Sequence, residues 1–351
     1  MVRIGLVGLG FMGMTHFEGA RKVKGAKVVA IATRDPKKLA GDWSGIQGNF
    51  GPRGGQIDLK KMKVTGYADY RELLADPNID LVDVCLPNDQ HETVVLEALK
   101  AGKHVIVEKP IAVDLKAADR MVAAAKKSGK LFMVAHVLPF FPEFKFVADV
   151  VKSGKYGTLR AAHFRRVICT PDWSKDMADL SKTGGPGVDL HIHDTHFIGY
   201  LCGVPEAVHA RGVIEQGWAQ HLETQYLYPD KSLAVSCTMG GIAAKGLAFA
   251  HGFEIYLDKA TLLYDFNTLG GQPILNRPLT VVTNDGKAVN PTLKGGTEWC
   301  AAFTAELQVA VNAIATGETP ALLSGELARD ALKLCHLEAK SAATGKVVAV
   351  R

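Results

Sequence analysis

The run Gly8-Leu9-Gly10-Phe11-Met12-Gly13 has the residue types and the spacing, G-x-G-x-x-G, of a loop that binds the phosphates of a dinucleotide. It follows an apolar run and precedes a helical pattern. The first glycine permits a tight turn, the second lets the backbone approach a pyrophosphate, and the third allows close packing of helix on strand. The helix N-terminus attracts the phosphate charge. We therefore expect a dinucleotide site here, with Phe11 and Met12 among its contacts.

The residues after the second apolar run indicate which dinucleotide is preferred. An acidic residue there would bind the ribose hydroxyls of NAD, but the sequence is Thr33-Arg34-Asp35. A small hydroxyl and a guanidinium can accommodate a 2′-phosphate. The chemistry therefore favours NADP slightly over NAD, although Asp35 could still reach the ribose.

The apolar pattern of the first third of the chain predicts a parallel sheet that carries this loop. Buried strands are expected at Arg3–Val7, Lys27–Ala32, Leu81–Leu86, His104–Val107 and Leu131–Ala135. Helical patterns lie between them at Met14–Lys22, Tyr70–Leu74, Glu92–Lys100 and Leu115–Lys127. Such alternation is typical of a doubly wound α/β sheet with helices on both faces. It predicts a dinucleotide-binding domain over residues 1–135.

A glycine-rich stretch from Gly41 to Gly66, which ends in the basic cluster Lys60, Lys61 and Lys63, interrupts this pattern. Loops of this length are usually lids, contact surfaces or disordered segments. A solvated surface loop is the alternative.

Residues 136–351 predict a second domain built on a different sheet. A helix from about Phe144 precedes strand-like runs at Leu159–Val167, Ala207–Ile214, Glu223–Leu227, Leu233–Thr238 and Phe253–Leu257. Two helices, Thr297–Thr316 and Ser324–Thr344, close the chain. Consecutive strands with short connections indicate a mostly antiparallel sheet.

Composition and charge exclude several classes of protein. The chain has 351 residues, of which 47% are hydrophobic and 22% charged, as in ordinary globular proteins of two domains. A net charge of +5 with scattered lysines and arginines argues against a nucleic-acid partner. Six cysteines without a C-x-x-C pair argue against a disulfide framework or structural zinc and fit a reducing compartment. No apolar stretch is long enough to span a membrane, so a cytoplasmic protein is expected.

Two further motifs carry a resemblance to a known family. Leu86-Pro87-Asn88-Asp89-Gln90-His91 is similar to T-P-N-x-x-H, and residues 101–110, AGKHVIVEKP, are similar to A-G-K-H-V-x-x-E-K-P. With the glycine loop, they resemble the glucose–fructose oxidoreductase / inositol dehydrogenase / MocA (Gfo/Idh/MocA) family over essentially the whole chain. The resemblance implies a Rossmann domain followed by an α/β domain with an open, largely antiparallel sheet, which usually supports a homodimer or homotetramer. It implies cofactor contacts at Pro87, Asn88, His91, Glu108 and Lys109.

The resemblance also places a catalytic lysine in the E-K-P motif, at Lys109. A lysine beside an oxidised nicotinamide experiences a cationic ring and partial burial, and both favour the neutral amine. Such an amine can exchange a proton with the reacting hydroxyl while hydride moves to the ring. A surface lysine before a turn proline is the alternative.

A glycine-rich loop followed by histidines forms the third motif, from Gly184 to His196. Asp189 and His193 match the family's aspartate and the histidine four residues later, and this spacing places both on one face of a helix. Asp189 is expected to bind a substrate hydroxyl or orient the histidine, and His193 to act as a general base. Many family members carry another aspartate where this chain has His196, so His196 is included among the expected substrate contacts.

The same segment also suggests a metal site. Asp189, His193 and His196 share a helical face, which is enough for three ligands. Nicotinamide-linked hydride transfer needs no metal, and the family mostly lacks one, so we expect none. His191 is expected to pack or to support its neighbours.

Another segment departs from the family pattern. Pro139 and Phe140 stand where the family often has an arginine followed by an aromatic residue, which suggests a substrate without a carboxylate or phosphate. Phe140 and Trp173 are expected to stack on the apolar face of a sugar, with His136 among the contacts. Packing at the domain junction is the alternative.

These residues together predict an NAD(P)-dependent oxidoreductase that acts on a secondary hydroxyl or keto carbon of a sugar, glycoside or cyclic polyol. Lys109 and His193 lie in different predicted domains, so the site is expected at the cleft between them. One alternative is a redox-neutral, NAD-dependent glycosidase of the same fold. Another is a catalytically silent sensor, against which the joint presence of Lys109, Asp189 and His193 argues.

Overall fold

The computed structural model of the chain describes residues 1–48, 50–169, 179–296 and 298–350. The chain divides into two compact units, Met1–Phe140 with Gly295–Arg329 and Phe141–Lys294 with Asp330–Arg351. Of the helices in these ranges, none combines the length and the apolar character that a membrane span requires.

The first unit contains a six-stranded sheet in the order β3-β2-β1-β4-β5-β6, and all of its strand pairs are parallel. Its elements up to residue 140 are β1 (Val2–Val7), α1 (Phe11–Ala20), β2 (Ala26–Ala32), α2 (Pro36–Leu39), β3 (Thr65–Tyr67), α3 (Tyr70–Ala75), β4 (Leu81–Val84), α4 (His91–Lys100), β5 (His104–Glu108), α5 (Leu115–Ser128) and β6 (Phe132–Ala135). The predicted doubly wound parallel sheet is confirmed. The chain order reverses between β1 and β4, and ligands of such sheets bind at the carboxyl ends of the strands beside this point.

Local side chains set the ends of these helices. Asp69 and Asp114 accept hydrogen bonds from backbone amides in the first turns of α3 and α5, which satisfies amides that a helix cannot pair internally. Gly129, in the left-handed region at φ +65°, ends α5.

The glycine-rich stretch from Gly41 to Gly66 packs into the first unit. Trp43 is almost completely buried, and its ring meets that of Phe17 edge to face, with centroids 4.8 Å apart. Ile46, Leu59 and Val64 join the same hydrophobic core. The described part of this stretch is therefore a surface loop that a few buried apolar side chains anchor to the core, while many of its other residues are exposed.

The second unit is built on a nine-stranded sheet in the order β14-β13-β12-β11-β7-β10-β9-β8-β15. Its elements up to residue 294 are α6 (Pro142–Ser153), β7 (Leu159–Ile168), α7 (Leu180–Thr183), α8 (Ile192–Cys202), β8 (Ala207–Glu215), β9 (Trp218–Leu227), β10 (Ala234–Gly240), β11 (Leu247–Leu257), β12 (Ala260–Leu269), β13 (Gln272–Thr283) and β14 (Ala288–Val289). All neighbouring strands are antiparallel except β7 and β10, which confirms the predicted mostly antiparallel sheet.

The two faces of this sheet differ in character. Phe164 of β7 and Phe144 of α6 both pack against Phe197 of α8, with ring centroids 5.8 and 5.2 Å apart. On the opposite face, Arg165 pairs with Asp265 across the sheet at 2.5 Å. This face thus carries a charged pair and not only apolar surface, and the homodimer or homotetramer expected from the resemblance stays a prediction.

The chain ends with α9 (Ala301–Thr316), α10 (Gly325–Thr344) and β15 (Val348–Ala349). Leu307, Ala310 and Val311 of α9 belong to the hydrophobic core of the first unit. The compact units place α9, which packs on α1, with the first unit, whereas the boundaries expected from the sequence are 1–135 and 136–351.

Candidate functional site

The glycine loop has the shape that a dinucleotide phosphate requires. Gly8 has φ +93°, and a Cβ there would meet the Cys85 carbonyl oxygen at 2.5 Å. A Cβ on Gly13 would meet the Gly8 carbonyl oxygen at 2.1 Å, so α1 packs directly on the loop. A Cβ on Gly10 would meet nothing within 4 Å. Space thus remains at the N-terminus of α1. All residues of this helix are described, and no side chain caps its first backbone amides, which leaves them for a phosphate. These residues fit a dinucleotide.

The residues after β2 place positive charge beside this loop. Arg34 is exposed, and the Lys38 ammonium donates a hydrogen bond to the Leu9 carbonyl oxygen at 2.8 Å. Asp35 accepts a hydrogen bond from the Lys37 amide as the N-cap of α2, while Thr33 accepts one from the Asp35 amide at 3.3 Å. Lys38 was not among the cofactor contacts expected from the sequence. Its position one helical turn after Arg34 could have indicated a second cation beside the loop.

His91 joins the two loops that carry the family motifs. Its Nδ1 lies 3.0 Å from the Pro110 carbonyl oxygen, and its Nε2 lies 2.9 Å from that of Leu86. Burial lowers the pKa of this histidine below its ordinary value. His91 is fully buried, whereas Pro87 is exposed and Asn88 half-buried. Its side chain therefore holds the loops after β4 and β5 together.

Lys109 follows β5 directly and is half-buried, while the carboxylate of Glu108 turns into the protein. One Glu108 oxygen accepts the Lys109 backbone amide at 3.0 Å, and the other lies 2.8 Å from Nε2 of His16 on α1. Nδ1 of His16 lies 2.9 and 3.0 Å from the two carboxylate oxygens of Asp83 on β4. All three of these side chains are buried. The predicted cofactor residue Glu108 thus sits in a buried ionic cluster.

Glu306 on α9 faces the same cluster. Its side chain is fully buried, and neither of its carboxyl oxygens has a hydrogen-bond partner among the described residues. Burial raises its pKa well above the ordinary value; His16 opposes that shift, and Glu108 and Asp83 add to it. Burial therefore favours the protonated form of Glu306.

The sequence analysis missed three members of this cluster: His16, Asp83 and Glu306. Asp83 stands in the otherwise apolar run LVDVCL, and Glu306 stands in an apolar helical run. Charged side chains are almost never fully buried without a partner, so an acid inside an apolar run is a signal for a buried partner.

In the second unit, the predicted residues Asp189 and His193 are both half-buried. Asp189 lies in a wide helical turn, Pro186–Leu190, and His193 lies at the start of α8. The backbone therefore changes from one helix type to another between them, and the expected single α-helical face is not formed. Gly187 keeps this turn close to β9, because a Cβ there would meet the Ala219 side chain at 2.7 Å.

The neighbouring histidines are fully buried. His191 bonds to Glu338 of α10 at 2.5 Å; burial lowers its pKa, but Glu338 raises it to a net value above the ordinary one. This agrees with the supporting role expected for His191. His196 is also fully buried, unlike the half-buried His193. This burial contrasts with the expected place of His196 among the substrate contacts.

Two groups of three ligand-type side chains in the described parts of the chain have their donor atoms within 4.8 Å of one another. They are His16, Asp83 and Cys85, and His191, Asp194 and Cys237. The suggested set of Asp189, His193 and His196 is not among them. Asp194 already forms a bidentate ion pair with Arg166, at 2.7 and 3.1 Å.

The remaining expected substrate contacts lie in different environments. His136 is fully buried, and Phe140 packs against the hydrophobic cluster of Val137, Ala302 and Phe303. Phe140 is half-buried, and its stacking on a substrate stays a prediction. Trp173 lies outside the described residues.

Comparisons with known proteins agree with a dinucleotide-binding fold in the first unit. The family model described as "Oxidoreductase family, NAD-binding Rossmann fold" (GFO_IDH_MocA) matches residues 2–136. The uncharacterized oxidoreductase YdgJ of Escherichia coli is 30% identical over 264 residues, which cover 72% of this chain and 69% of that protein. Myo-inositol 2-dehydrogenase of Thermotoga maritima is 28% identical over 202 residues, 58% of this chain and 55% of that protein. Several other relatives are likewise matched over about half of their length.

A solved structure shares the fold over nearly the whole chain. The levoglucosan dehydrogenase solved in complex with NADH and levoglucosan superposes with a TM-score of 0.79 at 20% identity, and the match covers 99% of both chains.

Two glycine variants test the loop geometry separately. Gly10→Ala should weaken dinucleotide binding by about tenfold or more, equivalent to about 1.4 kcal/mol, because its Cβ enters the open space above the helix N-terminus. It should leave the free energy of unfolding nearly unchanged. Gly13→Ala should lower the free energy of unfolding by about 1–3 kcal/mol, since its Cβ overlaps the Gly8 carbonyl. Fluorescence titration measures dinucleotide binding, and urea unfolding measures the free energy of unfolding. A loss of stability in Gly10→Ala together with parental stability in Gly13→Ala would contradict the geometry.

Glu306 predicts a pH dependence of stability. Its native pKa lies above the value of 4.5 for an ordinary glutamate, so native Glu306 holds a proton that the unfolded chain releases as pH rises. Its contribution to stability is full below about pH 4.5 and is lost as pH rises towards the native pKa. Glutamine at position 306 cannot ionise, so Glu306→Gln removes this loss of stability at higher pH. Relative to the parent, the variant should therefore gain stability with rising pH, by at most about 1.4 kcal/mol per pH unit.

Urea unfolding between pH 4.5 and 8 measures this difference. Glu318→Gln at an exposed position is the matched control and should follow the parent at every pH. A constant difference between Glu306→Gln and the parent would show that Glu306 is ionised in the native protein.

Proposed function

Because the chain belongs to the Gfo/Idh/MocA family of NAD-binding oxidoreductases, we propose that it is an NAD(P)-dependent dehydrogenase. It transfers hydride between the dinucleotide and a secondary hydroxyl or keto carbon of a sugar, glycoside or cyclic polyol. One observation carries the proposal. Lys109 follows the carboxyl end of β5, at the same edge of the parallel sheet as the open glycine loop after β1.

The first unit supplies the residues for the dinucleotide. The amides at the start of α1 and the space above Gly10 suit the pyrophosphate. Phe11, Met12, Pro87 and Asn88, each exposed or half-buried, lie in the loops at the same sheet edge. When bound there, a nicotinamide dinucleotide supplies the carbon that accepts or donates hydride.

Lys109 then takes a proton from the substrate hydroxyl, or returns it in the reverse direction. Hydride leaves a carbinol carbon readily only as the hydroxyl proton is removed, so a base is needed within hydrogen-bond reach of that oxygen. In the second unit, His193 is the further proton-transfer residue, and Asp189 binds a substrate hydroxyl. Both side chains are half-buried.

The substrate class is supported by chemistry and by relatives. Pro139 stands where the family often has an arginine, which favours an uncharged polyol over a carboxylate or phosphate. Two similar proteins are named as dehydrogenases of myo-inositol and of levoglucosan, one a cyclic polyol and the other an anhydrosugar.

The preferred dinucleotide is NADP. Asp35 is engaged as the cap of α2, so it is less available to bind ribose hydroxyls. Thr33, Arg34 and Lys38 form a polar, cationic strand end that suits a 2′-phosphate.

Arg34→Ala tests this preference. The variant should weaken NADP binding by about 10- to 100-fold, the range for losing a charged hydrogen bond, and NAD binding by less than about threefold. Arg21→Ala, at the far end of α1, removes the same charge and should change neither affinity. Equal losses for the two dinucleotides, or a clear preference of the parent for NAD, would contradict the assignment.

Lys109→Ala and His193→Ala test the chemistry. Sugars and polyols are first screened with both dinucleotides by following the absorbance of the reduced nicotinamide. On the substrate found, each variant should lower turnover by about a hundredfold or more, with dinucleotide affinity nearly unchanged. Lys100→Ala, at an exposed position of α4, is the control and should retain parental turnover. Near-parental turnover in both variants would show that the residues are misassigned.

A further inference from the structure

A continuous set of buried polar groups runs from β4 to the residue that follows β5. Asp83, His16, Glu108 and the backbone amide of Lys109 form this set, which we term the buried relay. Its successive distances are 2.9 Å from Asp83 to Nδ1 of His16, 2.8 Å from Nε2 to Glu108, and 3.0 Å from Glu108 to the amide. The Nε2 contact is an ion-pair contact that is less well aligned than a hydrogen bond. The relay connects α1, β4 and β5, whose ends carry the proposed dinucleotide site.

His16 carries the positive charge of the relay. Burial alone would lower its pKa, but Asp83 and the neighbouring Cys85 raise it well above the ordinary value. A histidine with a carboxylate at each ring nitrogen can donate to both only when it is doubly protonated. The ring of Phe303 on α9 also lies near His16, with ring centroids 6.0 Å apart.

Burial favours the neutral form of the other two acids beside the relay. Burial raises the pKa of the Cys85 thiol, and Glu306 keeps its proton for the same reason. An ionised carboxylate at Glu306 would add an uncompensated buried charge, which proteins avoid by neutralising the group.

We propose that His16 is a positioning residue: it holds Glu108, and through Glu108 it fixes the backbone of Lys109. This inference rests on the proposed function, in which Lys109 exchanges the substrate proton. Each oxygen of the Glu108 carboxylate has its own partner, so the carboxylate has one orientation. Catalytic groups need this kind of support, because a misplacement of about 1 Å can lower turnover by about a hundredfold.

A metal ion at His16, Asp83 and Cys85 is the competing use of this cluster. The structure favours the relay, because Nδ1 of His16 already lies at hydrogen-bond distance from both oxygens of Asp83.

The test compares His16→Gln with the double variant His16→Gln/Asp83→Asn, both in the full chain. The single variant leaves two buried carboxylates without a cation and is expected to lose stability. The double variant neutralises one of them and should recover stability measured by urea unfolding. Glu108 still lacks its cation in both, so positioning of Lys109 should be lost in both. Glu306→Gln, in the same buried region but outside the relay, is the matched control.

Two measurements report whether the backbone of Lys109 is held in position. Hydrogen exchange at the Lys109 amide, followed by mass spectrometry, should become about tenfold faster or more in the double variant and stay parental in Glu306→Gln. On the substrate found by the polyol screen, kcat of the double variant should fall about 10- to 100-fold, while the dinucleotide Kd changes less than about threefold. Parental exchange at the Lys109 amide in the stable double variant would show that His16 serves stability alone and would overturn the proposal.

The outcomes also separate this inference from the proposed function. If Lys109→Ala retains turnover, the proposed chemistry fails, and the exchange readout still decides whether His16 positions the Lys109 backbone. If Lys109→Ala is inactive while the double variant keeps parental kcat, the proposed chemistry stands and the role of His16 is wrong. Stoichiometric zinc in the purified parent that is absent from His16→Gln would identify a metal site and would also overturn the proposal.

Discussion

The buried ion pairs of His16 with Asp83 and Glu108 are the interaction on which the first unit depends most. They join a helix to two central strands at the sheet edge where the glycine loop and Lys109 lie. Taking such charges out of water is expensive, and removing one partner of a buried pair costs about 3–5 kcal/mol because the other charge remains uncompensated. The pairs therefore restrict how α1, β4 and β5 can be arranged. Those three elements carry the residues proposed to bind the dinucleotide and to transfer the proton.

The second unit uses the same device around its proposed substrate residues. His191 pairs with Glu338, and Arg166 pairs with Asp194, in both cases with buried side chains. The two pairs hold the start of α8 against α10 and β7. Asp189 and His193, on either side of His191, remain half-buried. The buried ion pairs thus support the backbone on which Asp189 and His193 lie.

The glycine-rich stretch and α9 show how distant segments complete the dinucleotide-binding unit. Trp43 enters the core against Phe17 of α1, and Leu307 of α9 joins the same core. Phe50 stacks on Phe303 with ring centroids 5.7 Å apart and meets Phe11 of the glycine loop at 4.7 Å. Aromatic contacts thus extend from both segments to the loop that is proposed to hold the phosphates.

Local pattern in the sequence determined the glycine loop, the E-K-P segment and the alternation of strands and helices in residues 1–135. Each depends on residues close together in the chain, through a required φ angle at Gly8 or the periodicity of buried side chains. The structure alone decided the partners of His16, Asp83 and Glu306, the burial of His196 and the placement of α9. His16 and Asp83 are 67 residues apart. A pairing at that separation leaves no periodic signal, because only the packing of α1 on the sheet brings the two charges out of water and into contact.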